Sequence, residues 1–137
     1  MSLLERLSKG DVFASEIGCR IVEIRKGYAR TELTVEERHL NGAGVCQGGV
    51  LFTLGDLAFA AVANSCGILS VGINNSISFI KSAQLGETVT AECTEVAEHH
   101  KLPNTEIKIK NSKGEVLAVM TGMAYRTSKP FEFDSLM

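Results

Sequence analysis

Apolar and polar residues alternate along residues 28–35: Ala29, Thr31, Leu33 and Val35 fall on one side, Tyr28, Arg30, Glu32 and Thr34 on the other. A period of two is the signature of a half-buried β-strand. Residues 16–26 read as a strand that meets it near Gly27. Farther along, residues 69–80 place Val71, Ile73, Ile77 and Phe79 on one face, and residues 87–97 follow a turn at Gly86. Residues 104–111 set Ile107 and Ile109 against Glu106, Lys108 and Lys110, and an Asn-Ser-Lys-Gly turn at 111–114 leads into a last strand at 115–127.

One stretch has a different character. Residues 48–65 are apolar on nearly every side, through Val50, Leu51, Phe52, Leu54, Leu57, Phe59 and Val62. A helix without a polar face must be buried all round. Its small residues, Gly55, Ala58, Ala60, Ala61 and Ala63, let a sheet approach closely, and Gly67 can end it. Residues 2–10 read as a short amphipathic helix, and residues 128–137, which contain Pro130, as a loosely held tail. The expected fold is therefore α+β: a single domain over 1–137 in which an antiparallel sheet wraps one long buried helix.

Composition narrows the function. The chain has 137 residues, 45% hydrophobic and 22% charged, which fits one folded domain with its own core. A net charge of −2 argues against nucleic acid as the main partner, since phosphate binding relies on an excess of Lys and Arg. The first ten residues lack the apolar core of a secretory signal, and the longest apolar run, Val50 to Ala63, is interrupted by Asp56 and too short to span a bilayer. Cys19, Cys46, Cys66 and Cys93 are widely spaced with no C-x-x-C pair, so they read as reduced thiols of a cytoplasmic protein, with no metal site.

The chemistry concentrates in residues 40–56, "LNGAGVCQGGVLFTLGD". Gly48 and Gly49 fall where the helix starts, so the first N–H groups have no internal partner and carry the positive end of the helix dipole. Without a side chain at Gly48, a ligand oxygen can come close to the backbone. Such donors suit an oxyanion hole, and the side-chain amides of Asn41 and Gln47 can add to it. Asp56 is a carboxylate in the middle of an apolar helix, which is costly unless it is paired or lines a cavity. Burial would raise its pKa and suit it to work as base or nucleophile. A plain glycine turn and a structural aspartate are the competing readings. Eight residues of helix separate Gly48 from Asp56, roughly 12 Å at about 1.5 Å per residue. One aspartate cannot cover that gap, so if both groups serve one reaction they come from two copies of the chain.

The run "LNGAGVCQGGVLFTLGDLAFAAVANS", followed by "ISFIKSAQLGETVTAE", resembles the hotdog-fold acyl-CoA thioesterases of the phenylacetic-acid-degradation (PaaI-like) type. The similarity spans about residues 12–127 and combines an Asn-Gly, a [His/Gln]-Gly-Gly and an acid eight residues after the first of those two glycines. It implies dimers with a continuous sheet, often paired into tetramers, and hydrolysis of a small or medium acyl-CoA, aryl groups included, to free acid and coenzyme A. Coenzyme A is then part of the substrate, with no separate cofactor. By position, the Gly48 N–H would hold the thioester oxygen with help from Asn41, Gly49 would line the substrate site, and Asp56 of the opposite subunit would act as nucleophile or base. Lys81 would lie near the nucleotide phosphates, with a solvated surface lysine as the competing reading. Two positions depart from the pattern. Gln47 stands where a histidine is common, and glutamine donates a hydrogen bond but moves no proton at neutral pH. Ser82 stands where proline is common.

Other readings remain. A hotdog dehydratase would need a histidine beside an acid, and only His39, His99 and His100 are available. A non-catalytic acyl-CoA-binding module is possible, but a sensor with a DNA-binding helix pair lacks the residues for one. Cys46 as nucleophile would need an activating neighbour.

Overall fold

The computed structural model describes residues 1–137. Two short helices, α1 (Leu3–Gly10) and α2 (Val12–Glu16), precede strands β1 (Arg20–Arg25) and β2 (Tyr28–Thr34). A 3-10 turn at Glu37–His39 leads to the long helix α3 (Gly48–Asn64). Four strands follow: β3 (Ile68–Phe79), β4 (Thr88–Ala97), β5 (Asn104–Asn111) and β6 (Val116–Pro130). All six strands form one sheet in the order β1-β2-β4-β5-β6-β3, antiparallel at every step. The expected α+β architecture and the order of its main elements are as read from the chain, while α2 went unrecognised.

The sheet curls around α3. Leu51, Leu54, Leu57, Phe59 and Val62 of the helix are buried against Leu33, Val89, Ile107, Ile109 and Met120 of the strands. Burying each such side chain is worth about 1.5–3 kcal/mol, so the helix is held by packing. The small residues do set the approach: a methyl group on Gly55 would lie 2.8 Å from the Met120 sulfur. Polar ties fix the helix along its length. The Thr31 hydroxyl donates to the Leu54 carbonyl at 2.8 Å, and buried Asn64 accepts from the Ser70 N–H at 2.8 Å while donating to the Ala60 and Ser70 carbonyls. Gly67 ends the helix in the left-handed conformation, φ +81°.

Three expectations are corrected. First, α3 is not buried all round within one chain, because Phe52, Asp56 and Ala60 are only half-buried. These residues recur every four positions and so share one helical face.

Second, β3 is an edge strand, and a bulge breaks its alternation. Gly72 pairs with Ala124, Asn74 with Met123 and Asn75 with Gly122, so one extra residue sits in β3. Gly72 and Gly122 both lie under the Phe59 ring of α3. Val71 and Ile73 therefore point away from the helix, while Phe79 points toward it and reaches Gly48. Val71, Ile73, Phe79 and Ile80 are all about half-exposed, at 46–62%.

Third, the C-terminal residues are tied down. Leu3 and Leu4 N–H donate to the Ser135 and Leu136 carbonyls, Phe131 N–H donates to Gly67, and Arg6 lies 3.7 Å over the Phe131 ring. The N-terminal ammonium also pairs with Asp134. Phe131, Phe133 and Leu136 pack on the core. The proline and the absence of a clear helix or strand period in this short stretch hid these anchors.

Candidate active site

The N-terminus of α3 is shaped by the loop before it. Asn41 Oδ1 accepts from the N–H groups of Ala43 and Val45, at 2.9 and 3.3 Å, which folds residues 41–45 into a tight turn closed by Gly44 at φ +77°. That use of the oxygen leaves the Asn41 Nδ2 hydrogens free to donate. The Cys46 N–H donates to the Ala83 carbonyl and the Gln47 N–H to that of His39, which pins the loop to the connection between β3 and β4 and to the 3-10 turn.

Gln47 is the N-cap of α3. Its Oε1 accepts from the Gly49 N–H at 2.8 Å. A methyl group on Gly49 would lie 2.4 Å from that oxygen, so Gly49 is what lets the cap form. The amide of Gly49 is spent on Gln47 rather than facing a substrate, which corrects the expectation for that residue. The Gly48 N–H has no acceptor. It is an orphan donor at the positive end of a 17-residue helix.

Asn41, Gly48 and Lys81 line one cavity of about 360 Å³, together with Cys46, Leu51 and Phe79. The Phe79 ring lies over Gly48, with its Cζ 2.8 Å from where a Cβ would sit. Lys81, just past β3, is exposed and paired with Glu115. The Glu115 carboxyl is held below the usual carboxylate range by its hydrogen bonds from Lys81 and Asn111.

Asp56 is not among the residues lining this cavity. It sits two turns along α3, half-buried, and accepts one hydrogen bond, from Asn75 Nδ2 of β3 at 3.2 Å. Burial pushes its carboxyl above the ordinary range, the charge of Asp11 at the start of α2 pushes the same way, and the Asn75 bond opposes them. One chain therefore brings Asn41, Gly48 and Lys81 together around the cavity, with Gln47 capping the helix beside Gly48 but outside the cavity lining, and leaves Asp56 about 12 Å along the helix axis from Gly48. Asn75 was missed in the sequence because the bulge that turns it inward has no signature in an Asn-Asn pair.

The alternative nucleophile and base are placed elsewhere. Cys46 is buried, and burial pushes its thiol up to about 11. His39 is buried with both ring nitrogens engaged: Nδ1 accepts from Glu36 N–H at 2.9 Å, so Nε2 donates to the Ile17 carbonyl at 2.7 Å. His99 and His100 line a different cavity, of about 700 Å³, at the far end of α3 beside Ser65 and Cys66.

Comparison with known proteins gives the family. Residues 43–118 match the family model of the thioesterase superfamily. The chain is 40% identical over 123 residues to an Archaeoglobus fulgidus protein with the provisional name esterase, covering 90% of this chain and 80% of that one. It is 31% identical over 118 residues to the acyl-coenzyme A thioesterase PaaI of Escherichia coli, covering 86% and 84%. The solved structure of E. coli PaaI superposes with a TM-score of 0.88 over 92% of this chain and 91% of that one, at 29% identity. A Streptococcus pneumoniae protein with the provisional name thioesterase, crystallised with coenzyme A, superposes with a TM-score of 0.78 at 26% identity, over 82% of this chain and 91% of that one. The chain therefore belongs to the thioesterase superfamily, as a hotdog-fold thioester hydrolase related to PaaI.

Proposed function

We propose that this enzyme hydrolyses acyl-CoA thioesters of small or medium acyl groups, aryl groups included, at two sites shared across a homodimer. The observation that carries the reading is the pairing of an unpartnered Gly48 N–H at the start of α3 with a half-buried Asp56 eight residues later on the same helix. The relatives add support, since PaaI is an acyl-CoA thioesterase and the S. pneumoniae protein was crystallised with coenzyme A.

In this reading the thioester oxygen accepts from the Gly48 N–H of one protomer, with the Asn41 and Gln47 amides as further donors. Negative charge then grows on that oxygen against the positive helix end. Asp56 of the partner subunit acts as base toward water or as nucleophile. In the base route, water oxygen bonds to the acyl carbon, its proton passes to Asp56, and the carbon–sulfur bond breaks to release coenzyme A thiolate and the acid. The thiolate is a good leaving group, so Gln47 need not move a proton. Lys81, which lines the same cavity, would meet the nucleotide phosphates once it releases Glu115.

The dimer is supported by the edge. β3 is 12 residues long with an unpaired side, and its exposed Val71 and Ile73 would be an aggregation hazard if left bare. Pairing β3 with its twofold mate continues the sheet and covers the half-buried Phe52–Asp56–Ala60 face; back-to-back pairing of such dimers would give a tetramer. No histidine stands beside Asp56, which disfavours a dehydratase.

The test is a panel of acyl-CoAs followed with a thiol reagent. Wild type is expected to release coenzyme A, and Asp56→Asn to turn over more than about a hundredfold slower while remaining dimeric. Equal rates for the two proteins remove Asp56 from the chemistry. Release of no coenzyme A by wild type from any member would leave a binding module instead. Label in the enzyme carboxylate after a single turnover in labelled water marks Asp56 as the nucleophile, through an anhydride that water opens at the aspartyl carbon; the base route puts label in the acid alone, with no acyl-enzyme to trap.

A further inference from the structure

We infer that Asn75 is the positioning residue of Asp56: its amide holds carboxylate oxygen Oδ1, so that Oδ2 is the oxygen presented to water or substrate. The inference rests on the reading of Asp56 as the catalytic acid. It names a residue that the site motif does not contain and assigns which oxygen reacts.

Three separate features of the fold converge on this one contact. The first is the bulge in β3. Gly72 faces the helix, and strict alternation would then turn Asn74 inward and Asn75 outward. The extra residue at Ile73–Asn74 resets the phase, so Asn75 faces α3 and its Nδ2 reaches Asp56 Oδ1 at 3.2 Å. Bulges re-aim side chains in this way.

The second feature is the pair of glycines flanking the amide. A methyl group on Gly122, which pairs with Asn75, would lie 3.0 Å from Asn75 Oδ1 and 2.8 Å from the Phe59 ring. A methyl group on Gly72 would lie 3.4 Å from Asn75 Nδ2 and 3.1 Å from the same ring. The two glycines thus leave a hollow in the sheet that the Phe59 ring and the Asn75 amide share.

The third feature is a price in stability. Asn75 Oδ1 is buried and has no hydrogen-bond partner. A leucine of similar size would fill the hollow without an orphan acceptor. What leucine cannot supply is the N–H that Asp56 accepts. This is the only hydrogen bond to the Asp56 carboxylate. It fixes the side-chain torsion, favours the ionised form against the burial that opposes it, and leaves Oδ2 free.

The experiment compares Asn75→Leu, Asn75→Ala and Asp56→Asn in acyl-CoA hydrolysis, with thermal unfolding of each. Asn75→Leu is expected to lower kcat by about 10- to 100-fold with KM little changed, to move the acid limb of the kcat profile to higher pH, and to unfold at or above the wild-type temperature. Asn75→Ala, which removes the same donor without filling the hollow, should share the kinetic defect. A purely structural asparagine would instead show lower unfolding temperatures with an unmoved acid limb. If Asn75→Leu keeps both the wild-type kcat and the wild-type acid limb while Asp56→Asn is inactive, the positioning role is overturned and the acid reading stands. If Asp56→Asn itself keeps wild-type rates, the acid reading falls and takes this inference with it.

Discussion

Gly48 opens α3 and Asp56 lies eight residues farther along it, so one helix carries both proposed reactive groups about 12 Å apart. A shared-site dimer follows only if the two groups act in different copies, and this can be tested by complementation. Gly48 is the first helical residue, and Gln47 before it has φ −64° and ψ 136°, a conformation that tolerates a following proline. Gly48→Pro should therefore keep the helix, with the Phe79 ring shifting aside, and lose the N–H. Its activity should fall by about 100-fold or more. Mixed with Asp56→Asn under conditions that exchange protomers, it should recover activity. Random pairing makes half the dimers heterodimers, each with one intact site of two, so about a quarter of wild-type activity is expected. Confirmed heterodimers with no recovery would mean that the site is not shared.

Asp56 should also reveal itself in stability. Its folded pKa is raised, chiefly by burial. The folded protein therefore binds this proton more tightly than the unfolded chain. Stability contributed by Asp56 is highest below the unfolded carboxylate pKa and declines as pH rises through the folded value. Asp56→Asn removes that decline. The variant is expected to unfold at a higher temperature than wild type near neutral pH, with the gain vanishing in acid, where wild-type Asp56 is protonated. An equal or lower unfolding temperature at neutral pH would show that Asp56 is not held against a desolvation penalty.

Much of this architecture was legible in the chain. The alternation in β2 and β5 and the long, mostly apolar run of α3 reflect burial that each residue experiences within its own element. The glycine pair and the following acid stood out because the costs of an orphan N–H and a buried carboxylate are local. The phase break in β3 was hidden because both sides of the bulge are apolar: Val71 and Ile73 face outward and Ile77 and Phe79 continue the pattern as if nothing intervened. Asn75 was hidden with it. The C-terminal anchors were invisible for a different reason, since they depend on α1 and Gly67 arriving at the same place from distant parts of the sequence.

Those anchors predict a specific defect. Deleting residues 131–137 removes Phe131, Phe133 and Leu136 from the core surface and frees two N–H groups of α1. Three partly buried apolar side chains at about 1 kcal/mol each give a loss of about 3 kcal/mol. The truncated protein should unfold several degrees lower, yet keep its oxyanion donors, because the deletion lies at the far end of α3 from Gly48. Denaturant unfolding and a kcat measurement check the two halves of this statement. An unchanged midpoint would mean that the tail contacts contribute nothing.

The edge strand gives a sharper separation of folding from assembly. Ile73 points away from α3 and is 53% exposed in the single chain, so Ile73→Lys leaves the core untouched. A charge on that face of β3 opposes strand pairing between copies. The variant should sediment as a 14.7 kDa monomer with wild-type secondary structure and lose activity in parallel with the dimer. A fully active monomer would place both catalytic groups within one chain, against the helix geometry.

Gln47 separates capping from catalysis. Its Oε1 accepts from Gly49 N–H beside the free Gly48 N–H. In Gln47→Glu the carboxylate takes over the same acceptor role with a full negative charge at the positive helix end, so the helix should gain stability. The same charge opposes the negative oxygen that forms at Gly48, and it removes an amide donor. Turnover should therefore fall by about tenfold or more while the unfolding temperature holds or rises. Gln47→Ala loses the cap, at about 0.5–2 kcal/mol, but adds no charge, so its turnover should fall less than that of Gln47→Glu even though it is the less stable of the two. The reverse ranking in turnover would show that the electrostatics of the helix end do not govern the rate. Stability and activity moving in opposite directions in the glutamate variant is the outcome expected if the start of α3 is where charge develops.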